Sequence, residues 1–244
     1  MTRLEGKVIV ITGGAQGMGK SHAEKCVEEG AFAVITDINE EAGIKTAEEL
    51  GERALFIKHD VTSEEDWAHV VSTVKEKWDR IDCLVNNAGI TLYSPIDQLS
   101  LEDYMKVVNI NQVSVFLGIK SVTEIMKAQG SGDIINISSI NGLVGGAAGY
   151  TDTKFAVRGM TKAAAKDLSP HNIRVNSVHP GVIRTPMLEQ EDVRAQVEQF
   201  IRTIPMRRVA EVGEVSNLIV FLASDDSTYA TGSEFVLDGG ITAL

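Results

Sequence analysis

The sequence is short of cysteine, proline and positive charge: two Cys, five Pro, and 23 Lys and Arg against 34 Asp and Glu in 244 residues. Each shortage excludes something. Cys26 and Cys83 stand far apart in apolar contexts, which speaks against a disulfide framework and for buried structural thiols in a reducing compartment. No proline-rich, serine-rich or charge-block stretch marks a linker and no internal repeat is visible, so the chain reads as one domain over 1–244. The net charge of −11 disfavours nucleic acid and anionic membranes as partners. No apolar run approaches the roughly 18 residues of a membrane span, and the start has no small-residue cleavage site. The expectation is a soluble, cytoplasmic protein. The five histidines, His22, His59, His69, His171 and His179, show no ligand spacing, so no metal is expected.

Hydrophobic residues make up 43% of the chain, enough for a sizeable core. Short β-branched runs predict strands at 7–12, 32–36, 54–58, 82–85, 133–137, 173–178 and 234–237. Helical patterns fall between them at 17–29, 39–50, 63–79, 102–129, 150–168 and 211–223. Alternation of this kind predicts a doubly wound α/β fold of the Rossmann type, a parallel sheet with helices on both faces. Ligands of such sheets bind beyond the carboxyl ends of the strands.

Those ends are chemically distinctive. The first carries Thr12–Gly13–Gly14–Ala15–Gln16–Gly17–Met18–Gly19, where glycines allow a tight turn and close approach of a pyrophosphate to a helix N-terminus. Asp37 ends the second strand; its carboxylate can accept hydrogen bonds from ribose hydroxyls and would repel a 2′-phosphate. The positions expected to carry a base in an NADP site, Gln16 and Ile38, are not basic, which favours NAD. Asp60–Val61 and Asn86–Asn87–Ala88–Gly89 follow the third and fourth strands; Asp60 reads as an adenine contact or a helix cap. Asn111, in an apolar stretch, is structural or part of a polar relay. Ser138–Ser139 end the fifth strand. His179–Pro180–Gly181–Val182–Ile183–Arg184–Thr185 end the sixth, with Thr185 either a carboxamide contact or a cap before Pro186.

Tyr150 and Lys154 are four residues apart, so on a helix they share one face. A phenol near its reference pKa of about 10 is a poor proton carrier at neutral pH, and a neighbouring cation would favour the phenolate. Alone, Y-x-x-x-K also arises by chance on solvated helix faces.

Together, TGGAQGMG, NNAG, YTDTK, HPGVIRT and TGSEFVLDGG resemble the short-chain dehydrogenase/reductase family over nearly the whole chain, with local wording similar to its bacterial hydroxysteroid and secondary-alcohol dehydrogenases. The resemblance implies a tetrad of Asn111, Ser139, Tyr150 and Lys154. Tyr150 would be the general acid/base, Lys154 would lower its pKa and hold the nicotinamide ribose, Ser139 would polarise the substrate oxygen, and Asn111, preferred over Asn109, would hold a water. It implies a dinucleotide held by Gly13, Gln16, Gly17, Met18, Gly19, Asp37, Asp60, Val61, Asn87, Ala88, Gly89, Tyr150, Lys154, Pro180, Gly181, Ile183 and Thr185. Substrate would meet Ser139, Asn141, Leu143 and Tyr150, with Tyr93, Val182 and Met187 nearby, under a lid at 187–205 that could equally be a surface helix. A homotetramer is implied as well. Ser139 precedes Tyr150 by eleven residues, about two fewer than the family's usual interval, which reads as a shortened loop and leaves Ser138 as a rival to Ser139. The expected activity is hydride transfer between NAD(H) and a hydrophobic secondary alcohol or ketone. A 3-oxoacyl-carrier-protein reductase, a sugar or polyol dehydrogenase and a catalytically silent NAD-binding sensor are the alternatives.

Overall fold

Every strand of the computed structural model is parallel to its neighbours, in the order β3–β2–β1–β4–β5–β6–β7. The structure describes residues 2–184 and 201–243. The strands are β1 (Val8–Thr12), β2 (Phe32–Asp37), β3 (Ala54–Lys58), β4 (Cys83–Asn86), β5 (Gly132–Ile137), β6 (Ile173–Pro180) and β7 (Glu234–Leu237). The order reverses between β1 and β4, which makes the crevice at their carboxyl ends the binding position of a Rossmann sheet.

Alternate residues of a strand point to opposite faces, and β1 divides its side chains accordingly. Val8 and Val10 join Trp67, Val70, Val115, Val122 and Val157 on one face. Ile9 and Ile11 join Ala23, Cys26, Val215 and Ile219 on the other. The first face is covered by α3 (Glu64–Trp78), α5 (Ser114–Gln129) and α6 (Tyr150–Leu168), the second by α1 (Gly17–Glu28) and α7 (Val212–Ala223). All five residues of β1 are buried, as expected of a strand covered on both sides. Cys26 and Cys83 are both buried and free. Burial pushes the Cys26 thiol up to about 12, so it is an inert apolar residue at neutral pH.

The expected helix over 102–129 is present and contains a wide turn. It consists of α4 (Leu101–Val108), a π-helical turn (Asn109–Val113) and α5. The wide turn surrounds Asn111, whose side chain is drawn out of the helix to another segment. Among the described residues no helix is long and apolar enough to cross a membrane.

Candidate active site

The helix starts differ in a way that bears on ligand binding. α2 (Glu40–Leu50), α3 and α4 open with capping side chains, Asn39, Ser63 and Ser100, and with acids in the first turn. α1 has neither a side-chain cap nor a first-turn acid. Its partial positive charge is left for an external anion. The loop before it is tight. Gly13 has φ +63°, and a Cβ there would lie 2.9 Å from Ala88 Cα; a Cβ on Gly19 would collide with the Gly13 carbonyl. Gly17, also left-handed at φ +58°, faces open space.

Thr12, not singled out from sequence, ties this loop to the turn after β4. Its Oγ1 accepts from Asn87 N–H and Ala88 N–H, both at 3.0 Å, while Asn87 Nδ2 donates to Thr12 O at 2.8 Å and Gly13 O at 3.1 Å. Asn87 Oδ1 is buried with no protein partner. Asp37 braces the loop from β2: Oδ2 accepts from Ala15 N–H at 3.1 Å and Oδ1 from Asn39 N–H at 3.0 Å. Two neighbours of Asp37 matter. Ile38 is exposed, and Lys58 on β3 stands in register with Asp37, its ammonium 3.1 Å from Glu40. Nothing in the sequence marks Lys58, because the strand pairing that brings it there is non-local.

Several residues expected at the cofactor are also held by the protein itself. Asp60 does not cap α3, since Ser63 does; Asp60 Oδ1 accepts from Thr62 N–H and Oγ1–H at 2.9 and 2.7 Å. Val61 and Met18 pack against the core. The Ile183 side chain is buried in the core, so only its backbone can face a ligand. Gly181 is required by packing, because a Cβ there would lie 2.8 Å from Asp238 Cα. Pro180 is the last residue of β6. Gln16 is exposed. Thr185, Met187 and most of the expected lid at 187–205 lie outside the described residues.

At the ends of β5 and β6 the polar side chains converge. Tyr150 opens α6 after Gly149, whose φ of +78° suits glycine and whose N–H donates to Asp152 Oδ2 at 2.7 Å. Lys154, one turn on, is buried; its Nζ donates to Ile137 O at 2.8 Å and lies 5.4 Å from the Tyr150 ring centroid. The Ser139 hydroxyl is placed to hydrogen-bond the Tyr150 phenol. Its Oγ also accepts from Asn141 N–H at 3.1 Å, which leaves the hydroxyl hydrogen free to donate. Ser138 is turned the other way, donating to the Lys154 carbonyl at 3.0 Å. Gly142 makes that bond possible, since a Cβ there would sit 2.5 Å from Ser138 Oγ.

Asn111 is buried and Asn109 exposed. Asn111 clamps the backbone of Ile90, accepting from its N–H and donating to its carbonyl, both at 2.8 Å. A Cβ on Gly89 would lie 3.4 Å from Asn111 Oδ1 and 3.7 Å from Lys154 Nζ, so both polar ends reach the same backbone. Tyr93 is exposed at the rim, Leu143 and Val182 are half-buried.

Burial dominates the electrostatics of the pair. The Tyr150 phenol is raised above its ordinary value, first by burial, with the Ser139 hydrogen bond opposing and Tyr93 adding to the rise. Burial lowers Lys154 to about 8, since an ammonium with one carbonyl partner is poorly solvated.

The chain as a whole has known relatives. A family model described as "Enoyl-(Acyl carrier protein) reductase" matches residues 13–242. The 3-alpha-(or 20-beta)-hydroxysteroid dehydrogenase of Mycobacterium tuberculosis is 47% identical, over 99% of this chain and 91% of its own length. The chain belongs to the short-chain dehydrogenase/reductase family. The cyclopentanol dehydrogenase of a Comamonas species is 46% identical over the full length of both chains. The crystal structure of a levodione reductase superposes with a TM-score of 0.94 at 34% identity, covering 99% of each chain. As a member of this family the protein is an oxidoreductase that uses a nicotinamide cofactor, and its residues fit one. The glycine turn that a Cβ would fill, the uncapped N-terminus of α1 and the orphaned Asn87 Oδ1 form one cradle. Among the described residues no group of three or more His, Cys, Asp or Glu could hold a metal ion.

Proposed function

We propose that the protein interconverts a hydrophobic secondary alcohol and its ketone with NAD(H), and that Asn111, Ser139, Tyr150 and Lys154 are its working residues. The observation that carries this reading is the meeting of the Ser139 hydroxyl, the Tyr150 phenol and the buried Lys154 ammonium at the mouth of the crevice. The bound cofactor supplies the hydride acceptor or donor. The protein handles the proton and the orientation. In oxidation Tyr150 Oη, as phenolate, takes the hydroxyl proton of the alcohol; in reduction the phenol returns it to the carbonyl oxygen. With substrate bound, Ser139 donates its one hydroxyl hydrogen to the substrate oxygen while Asn141 N–H holds its Oγ. Lys154, fixed by Ile137 O, supplies positive charge beside the phenolate. Asn111 holds the Gly89–Ile90 backbone against this group.

NAD is preferred to NADP in this reading. Asp37 places a carboxylate where a 2′-phosphate would stand, and the ammonium of Lys58 is already paired with Glu40. Two relatives are named as a hydroxysteroid dehydrogenase and a cyclopentanol dehydrogenase, which supports hydrophobic secondary alcohols, hydroxysteroids among them, as the substrate class. An acyl carrier protein, itself acidic, is disfavoured by the net charge of −11.

Cyclopentanol and a hydroxysteroid, each assayed with NAD and NADP, test the proposal. At least one alcohol should be oxidised, with higher kcat/KM for NAD. Tyr150→Phe should reduce kcat by about 10²-fold or more while still binding NADH. Binding of NADH without turnover of any alcohol or ketone would instead make the protein a sensor.

A further inference from the structure

We propose that His179 is a positioning residue: it holds the carbonyl of Ser139 and so aims the Ser139 hydroxyl at Tyr150. The inference rests on the catalytic role given to Ser139 above and extends the machinery to a residue that makes no contact with the reacting atoms.

The sheet stops just short of Ser139. The last backbone bond between the two strands' ends is Ser138 N–H to Val178 O, at 2.8 Å. One residue later the chain turns away into the short 3₁₀ turn Ile140–Gly142. The Ser139 carbonyl then accepts from Gly142 N–H at 2.9 Å, within its own turn. It also accepts from His179 Nδ1 at 3.0 Å, on β6. The first bond shapes the turn and the second ties it to the sheet.

The tautomer follows from the partners. A carbonyl oxygen has only lone pairs, so Nδ1 carries the hydrogen. His179 is fully buried, and burial lowers its pKa, so the ring is neutral and Nε2 is a bare acceptor. Ser177, two residues back on the same face of β6, lies 2.9 Å from Nε2 and fills that role by donating its hydroxyl. The competing acceptor, Ser233 O, is at 3.4 Å. A directed chain results: Ser177 O–H to His179 Nε2, His179 Nδ1–H to the Ser139 carbonyl. Asn141 N–H on Ser139 Oγ completes the orientation of the hydroxyl that stands beside Tyr150. Imidazole is suited to this task because it reaches from the strand to the turn and is donor at one end and acceptor at the other.

His179→Asn, His179→Leu, Ser177→Ala, Ser139→Ala and the double variant Ser139→Ala/His179→Leu distinguish this role from ordinary packing. Asn places an amide N–H as many bonds from Cα as Nδ1; Leu supplies volume without a donor. With cyclopentanol and NAD, His179→Leu should lose about tenfold in kcat, the scale of one hydrogen bond, with the Kd for NADH within about twofold. His179→Asn should restore most of it, and Ser177→Ala should fall in between. Because the histidine acts through the serine, the double variant should be no slower than Ser139→Ala alone. A His179→Leu enzyme with normal kcat, or one whose loss multiplies with that of Ser139→Ala, overturns the inference. If His179→Leu does not fold, a normal kcat in Ser177→Ala together with no recovery in His179→Asn overturns it. A fully active Ser139→Ala would instead overturn the catalytic reading beneath it.

Discussion

Two adjacent serines in this site differ by the direction in which the backbone turns them. Ser138 is spent on the Lys154 carbonyl and Ser139 on Tyr150, a division that eleven-residue spacing left open. Ser139→Ala should therefore lower kcat by about 10²-fold with stability unchanged, the order expected for a lost donor to a developing charge. Ser138→Ala should cost about 1 kcal/mol of stability and much less kcat. Urea melts beside steady-state kinetics check this, and a reversed pattern would exchange the two roles. The charge states add a pH signature. With the phenol raised and oxidation requiring phenolate, kcat/KM for alcohol oxidation should climb with pH across the neutral range, by at most about tenfold per unit. Lys154 loses its proton near 8, and the climb should flatten there because the charge favouring the phenolate disappears. Reduction, which needs the protonated phenol, should be flat at neutral pH and decline in base. A profile for oxidation that falls from pH 6 to 8 would contradict the assignment of Tyr150 as base.

The strands and most helices of this protein are legible in its sequence because they depend on local pattern. β3 and β7 have the expected bounds, and the other strands differ by one or two residues at an end. The long helix is legible too, but not its π turn: hydrophobic periodicity cannot register one extra residue in a turn, and Asn109–Val113 inserts one where Asn111 leaves the helix for Ile90. The glycine loop and the Tyr150–Lys154 pair were legible because their chemistry lies in short motifs. Thr12 and Lys58 were not, since their roles depend on partners 75 and 21 positions away. The π turn should be costly to disturb. Asn111→Leu leaves the Ile90 N–H and carbonyl facing an apolar group, a loss of about 1–3 kcal/mol, and it should reduce kcat as well because the backbone beside Lys154 is released. Equilibrium unfolding and kcat measured on the same preparation test this; a variant as stable as the wild type would mean that the clamp is dispensable.

At the scale of the whole molecule the sheet has chemistry at both ends. The carboxyl ends hold the candidate site, and the opposite end holds a buried ion pair, Asp133 with Arg174 at 2.6 Å. Arg174 is further held by the carbonyls of Leu222 and Ser227, both at 2.8 Å, so its charge is well accommodated. Asp133 is not: burial raises its pKa to about 6 despite the arginine. A carboxyl whose pKa is higher folded than unfolded contributes stability below about pH 4 and loses it as pH rises through about 6. Wild type should thus lose ground to Asp133→Asn between pH 4 and 7, by about 1–3 kcal/mol, whereas Arg174→Met should be destabilising by about 3 kcal/mol or more at neutral pH. Chemical denaturation of the three proteins at both pH values decides it, and a wild type that gains on Asp133→Asn as pH rises would refute the sign. β6 carries Arg174 at its foot and His179 at its head, about 17 Å apart at the rise of an extended strand. Substitutions that far apart without shared partners add independently. Selection can therefore strengthen the foot of this sheet without touching the reaction, and stability gained there leaves the loop between Gly142 and Gly149 free to accept new residues, and with them new substrates.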